Sequence, residues 1–139
     1  MTDSASDFFI VGIGASAGGI QALEEFFSNI TDHPNAAFVV LQHLSPDFRS
    51  MMSEILQRKT VMQVRQVEEG MPVEAGTVYV MPPGKNVLIE GREFFLTERS
   101  NHLNYPINLF FESIAKAFAE RAIGVVLTGG GSDGTDGLQ

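Results

Sequence analysis

The alternation of apolar and polar positions divides the chain into strands and helices. Phe8–Ile13 is apolar on both faces of a period-two ribbon, the pattern of a central parallel strand, and it runs into glycine. From Gly18 the period lengthens: Ile20, Leu23, Phe27 and Ile30 recur at three and four, predicting a helix that ends near Asn29–Pro34. Ala36–Gln42 is a second apolar strand. After His43, Ser45 suits an N-cap and Pro46 the first helical position, and Phe48, Met51, Met52, Ile55 and Leu56 form the stripe of a second helix to about Lys59.

The middle of the chain changes character. Val61–Val67 and Thr77–Met81 read as strands, the second stopped by Pro82-Pro83-Gly84. Val87–Ile89 and Phe94–Thr97, joined across Glu90-Gly91-Arg92, predict an antiparallel hairpin near 86–97 whose loop glycine takes positive φ. Ile107, Phe110, Phe111, Ile114, Ala115 and Phe118 then mark an amphipathic helix to about Arg121, preceded by Pro106. Ile123–Thr128 is predicted as another buried strand, followed by Gly129-Gly130-Gly131-Ser132-Asp133-Gly134. This order predicts an α/β three-layer sandwich with a mainly parallel, Rossmann-like sheet. Residues 1–7 are a polar tail and 8–139 one domain.

Composition narrows the chemistry. A net charge of −8, from 17 acidic and 9 basic residues, is a poor match for a nucleic-acid backbone, whose binding relies on clustered Lys and Arg. With no cysteine, disulfides, thiolate metal sites and thiol nucleophiles are excluded. The histidines are scattered without metal-ligand spacing, so neither a metal nor a cofactor is implied. No apolar run approaches the ~20 residues of a membrane span, so membrane insertion is not expected and a cytoplasmic location is.

Parallel sheets bind ligands at the carboxyl ends of their strands, which singles out Gly14–Gly19, His43–Asp47 and Gly129–Gly137. These loops carry Ser16, His43 and Asp133, the residue types of nucleophile, base and orienting acid. Gly14-Ala15-Ser16-Ala17-Gly18 satisfies G-x-S-x-G, in which small neighbours let a strand turn sharply into a helix and expose the hydroxyl. Two other readings compete. Ser16 would merely cap the following helix, or Gly12-Ile13-Gly14-Ala15-Ser16-Ala17 would be a dinucleotide-binding turn, although no acid for the ribose closes the second strand at Leu41-Gln42-His43. Asp136 is the fallback acid, His33 a solvated loop residue and His102 a spare.

With these residues in place, the chain resembles the catalytic domain of the CheB chemotaxis protein-glutamate methylesterases. GIGASAGG around Ser16, LQHLSPD around His43, VYVMPPGKN at 78–86 and IGVVLTGGGSDGTDG around Asp133 follow in the family's order. The resemblance implies Ser16 as nucleophile, His43 as general base and acid, Asp133 as orienting carboxylate, and backbone N–H groups of Ala17 and Gly130 as the oxyanion hole. The implied reaction is hydrolysis of glutamate methyl esters, with glutamine deamidation, on the cytoplasmic domain of methylated chemoreceptors. The GASAGG form and the absence of a preceding receiver domain resemble the CheB-like module of CheB–CheR fusion proteins, which implies a CheR-type methyltransferase in the same polypeptide; a non-catalytic interaction module of such a fusion is the alternative. Family domains have Arg-Pro-Ser-Val-Asp where this chain has Tyr105-Pro106-Ile107-Asn108. They also continue past the glycine loop. The domain is therefore expected to be truncated at its C-terminus, with exposed apolar surface and either low stability or a dimer through that edge.

Overall fold

The computed structural model describes residues 8–15, 20–42, 52–82, 84–98 and 106–127. Strands β1 (Phe9–Ala15), β2 (Ala36–Gln42), β3 (Gln63–Gln66), β4 (Thr77–Val80) and β7 (Ala122–Leu127) form a five-stranded sheet in the order β3-β4-β2-β1-β7. Every pairing in it is parallel. Helices α1 (Ile20–Ser28) and α2 (Met52–Gln57) cover one face. Helix α3 (Pro106–Phe118) and the antiparallel hairpin β5 (Lys85–Glu90) and β6 (Glu93–Glu98) cover the other.

Side chains alternate between these layers, as the strand period requires. Val11, Ile13, Phe38, Val40, Val78 and Val80 meet Leu23, Phe27, Met52 and Leu56 on the α1 face. Ile10, Val39, Leu41 and Tyr79 meet Ile107, Phe110, Ile114, Val87 and Phe94 on the other. With both sides dry, a central strand has no polar position, which is why β1 and β2 read as continuous apolar runs. The three-layer prediction and the hairpin hold. The predicted second helix is described only from Met52; its proposed N-cap and first turns lie outside the described residues.

Gly91 and Arg92 turn the hairpin, and Gly91 has φ 63°, a conformation an L side chain adopts only at a cost. Arg92 stacks on Phe118 and Phe8, its guanidinium carbon 4.3 and 5.4 Å from the two ring centroids. These rings stand just before β7 and β1, so the turn is fastened at the amino edge of the sheet and the open end of the hairpin points to the carboxyl edge. Lys85 and Glu98 pair across that open end.

One expectation is corrected. Ile123–Thr128 is expected to be a buried strand, yet among its described residues, Ala122–Leu127, none is buried, and Ile123 is 41% exposed. Among the described residues the strand is the last in the sheet, with a neighbour on one side only. Its apolar sequence says that both faces suit a dry environment; it does not say how many strands flank it.

Candidate functional site

The carboxyl edge is built from strands that end level with one another. In the sheet register Ala15 is the partner of Gln42 on β2 and of Leu127 on β7. Three neighbouring exits therefore open side by side, each ~4.8 Å from the next. Ser16 is the residue after Ala15, His43 the residue after Gln42, and Asp133 lies in the loop that follows Leu127. Ser16, Ala17, His43, Gly130 and Asp133 all lie outside the described residues, as do Asp136 and His102. His33 is exposed in the turn before β2, at the opposite edge, in keeping with a solvated loop residue.

The glycines before Ser16 have a structural cause. Gly12 and Gly14 lie inside β1, paired to β2 and β7, with their α-carbons toward α3. A Cβ on Gly14 would stand 2.7 Å from Ile107 Cγ2; one on Gly12 would stand 2.9 Å from Phe111 Cε1 and 3.0 Å from Phe110 Cε2. Carbon atoms do not approach so closely, so the helix rests on bare backbone. Glycine at 12 and 14 is thus accounted for by helix packing within a strand, whereas the dinucleotide fingerprint needs its glycines in the turn beyond the strand. The packing also brings the start of α3 against the last residues of β1.

The hairpin lies beside α3 on the same face of the sheet. The Ile89 N–H donates to Ser113 Oγ (3.2 Å), aligning β5 with α3. Three residues back along the strand is ~10 Å, or six to seven residues of helix, so Asn86 is level with Pro106–Ile107. Asn86 is 5% exposed and its Oδ1 is buried with no hydrogen-bond partner among the described residues. Such orphans are rare, because a buried acceptor loses its water without recompense. Sequence reasoning passed over Asn86; the only signal was a polar residue at the end of the VYVMPPGKN block.

Tyr79 holds the chain that flanks the hairpin. Its hydroxyl donates to the Pro72 carbonyl (3.2 Å) and accepts from the Glu74 N–H (2.9 Å), while its ring packs on Phe94. Burial raises the phenol pKa above its ordinary value, opposed by the Glu74 N–H hydrogen bond and reinforced by the Glu74 carboxylate. The same segment bonds to β6 and its turn through Gly70 N–H to Phe94 O, Phe94 N–H to Met71 O and Val73 N–H to Arg92 O, each 2.9 Å. No group of three or more His, Cys, Asp or Glu side chains with metal-binding geometry occurs among the described residues.

The fold thus defines a class: a parallel α/β sheet covered on both faces, with its candidate chemistry at the carboxyl edge. Comparison with known proteins narrows it. The family model described as CheB methylesterase matches residues 11–139. The chain is 37% identical over 139 residues to protein-glutamate methylesterase/protein-glutamine glutaminase 1 of Pseudomonas fluorescens, covering 98% of this chain and 41% of that protein. It is 34% identical over 140 residues to protein-glutamate methylesterase/protein-glutamine glutaminase 2 of Methanosarcina acetivorans, covering 94% and 39%. The crystal structure of the Thermotoga maritima CheB methylesterase catalytic domain superimposes with a TM-score of 0.86 at 30% identity, over 94% of this chain and 72% of that one. The chain belongs to the CheB methylesterase family. It spans about two fifths of the length of those two full-length relatives. Among the described residues no helix is long and apolar enough to cross a membrane.

Proposed function

We propose that this chain carries the ester-hydrolysing centre of a protein-glutamate methylesterase, with Ser16 as nucleophile, His43 as general base and acid, and Asp133 as the carboxylate that orients His43. The observation that carries the reading is the level register of Ala15 with Gln42 and Leu127. It supports a site in which serine and histidine leave adjacent strands one residue past their ends. The six residues from Leu127 to Asp133 span up to ~20 Å when extended, ample for the acid to reach the same edge.

In this reading His43 takes the Ser16 proton as Oγ attacks the ester carbonyl of a methylated glutamate. The oxyanion is held by the backbone N–H groups of Ala17 and Gly130, where small side chains let the backbone approach the developing charge. Collapse of the tetrahedral species expels methanol with the proton from His43. Water, activated by the same histidine, then releases the glutamate. A glutamine side chain follows the same course with ammonia leaving, in line with the double name of the relatives. The substrate is the cytoplasmic domain of a methylated chemoreceptor, and the place of action is the cytoplasm. A CheR-type methyltransferase in the same polypeptide would remake the ester that this site removes.

The test is methanol release from methylated receptor. Ser16→Ala is expected to remove turnover to background, and Asp133→Asn to lower it by about 10⁴. Equal release by wild type and Ser16→Ala would end the hydrolase reading; receptor binding with no turnover by wild type would favour the interaction module instead.

A further inference from the structure

Near the carboxyl edge the sheet has a notch on the face that α3 covers. Gly14 lies level with Leu41 on β2 and with Val126 on β7. Residues at one level of a parallel sheet point to the same face, and Leu41 and Val126 both belong to the apolar cluster under α3. Between these two side chains Gly14 supplies none, so the middle strand is bare where its neighbours are filled.

Ile107, 4% exposed, fills that notch. The three atoms nearest the point a Gly14 Cβ would occupy are its Cγ2, Cδ1 and Cγ1, at 2.7, 3.0 and 3.4 Å. At Gly12 the corresponding contacts are divided between Phe110 and Phe111, so of the two glycines Gly14 is the one backed by a single side chain. Ladder hydrogen bonds hold a strand within the plane of its sheet; movement out of the plane is limited by what packs on the two faces. On the α1 face the buried side chains of Ile13 and Ala15 anchor the end of β1. On the other face the stop is Ile107, set against the residue type with the widest backbone freedom.

We propose that Ile107 is a positioning residue for the ester-hydrolysing centre: seated over Gly14 between Leu41 and Val126, it holds in place the ends of the strands that lead to Ser16, His43 and Asp133. Gly14 is two residues before Ser16, and Leu41 is two before His43. Two residues of chain span at most ~7 Å, so a shift at the notch reaches nucleophile and base with little slack to absorb it. The inference rests on the hydrolase reading and adds to it a residue that does not touch the substrate. Misplacing a reacting group by about 1 Å can cost about 10²-fold in rate. Such a loss falls on the chemical step, and so on kcat rather than KM.

Methanol release at varied concentrations of methylated receptor tests it, with wild type, Ile107→Val, Ile107→Ala and Ile114→Ala compared at a temperature where thermal melts show them folded. Ile107→Val keeps Cγ1 and Cγ2 and is expected to hold kcat within about twofold. Ile107→Ala removes all three contacting atoms and should lower kcat about 10- to 100-fold, with KM within about twofold. Ile114 is the control: 2% exposed and in the same cluster, it lies seven residues, or ~10 Å, further along the helix. Ile114→Ala therefore costs the core a comparable amount and should leave kcat unchanged. If Ile107→Ala does not fold, Ile107→Leu, of like volume but without the Cγ2 methyl over Gly14, carries the same expectation of a lowered kcat. An unchanged kcat in the Ile107 variants that lack Cγ2 overturns the inference. So does a rise in KM alone, or an equal fall in Ile114→Ala, which would reduce the effect to lost stability. Turnover by Ser16→Ala equal to that of wild type, or none by wild type, is a different result: it removes the hydrolase reading and this inference with it.

Discussion

Gly12 and Gly14 show how one residue type supports two incompatible readings. In sequence, G-x-G before a helix suggests a phosphate turn; in the fold, both glycines are strand residues against which Phe110, Phe111 and Ile107 are pressed. The distinction is measurable. Gly14→Ala puts a methyl 2.7 Å from Ile107 Cγ2, and an over-packed core loses about 1–3 kcal/mol. Because the clash is with one side chain, chiefly its Cγ2, Ile107→Ala in the same chain should restore part of the loss, read by urea denaturation. A nucleotide-binding glycine would show no such rescue. Asn86 is the converse case, a residue whose burial the sequence hides because an isolated Asn in an apolar strand looks like a surface position.

Among elements, the hairpin and the segment before β4 act as one unit. Arg92 fastens the turn to Phe8 and Phe118, and Tyr79 ties Pro72 and Glu74 to the sheet. Tyr79→Phe leaves the Glu74 N–H without its acceptor and should lower stability by about 1–3 kcal/mol near neutral pH. The alkaline limb carries a second signature. The folded state holds the Tyr79 proton more tightly than the unfolded state, so it binds more protons above pH ~10, and stability falls as pH rises through that region. At lower pH the tyrosine is neutral in both states and contributes no slope. Tyr79→Phe is therefore expected to flatten the alkaline decline of Tm; an unchanged decline would assign it to other groups.

For the whole molecule, sheet order sets which parts open first. β1 and β2 have strand neighbours on both sides and helices on both faces, whereas among the described residues β3 and β7 stand last in the sheet. Amide exchange is expected to be slowest in Val11–Ile13 and Phe38–Val40 and faster in Gln63–Gln66, since opening an edge exposes less apolar surface. Equal protection across the sheet would contradict the order. The same centre carries the candidate site: the strands proposed to deliver Ser16 and His43 are the two best supported, and rigid exits suit residues that must meet within hydrogen-bond reach.

The sequence by itself determined the kinds of element, their order, the two dry faces of β1 and β2 and the family, because each of these is written in local periodicity or in contiguous blocks such as GIGASAGG and LQHLSPD. β2 came out at the predicted Ala36–Gln42, since a buried run bounded by a proline turn and a histidine has few ways to be placed. Three things needed the tertiary structure. The order β3-β4-β2-β1-β7 made β7 the last strand among the described residues, which no strand's own sequence records. The register levelled Ala15 with Gln42 and Leu127, residues 27 and 112 positions further along the chain. The approach of α3 to β1 explained the glycines, because a missing Cβ has meaning only once the atom that would strike it is known. Periodicity reports how a segment meets its surroundings; which segment supplies those surroundings is settled by packing across the whole chain.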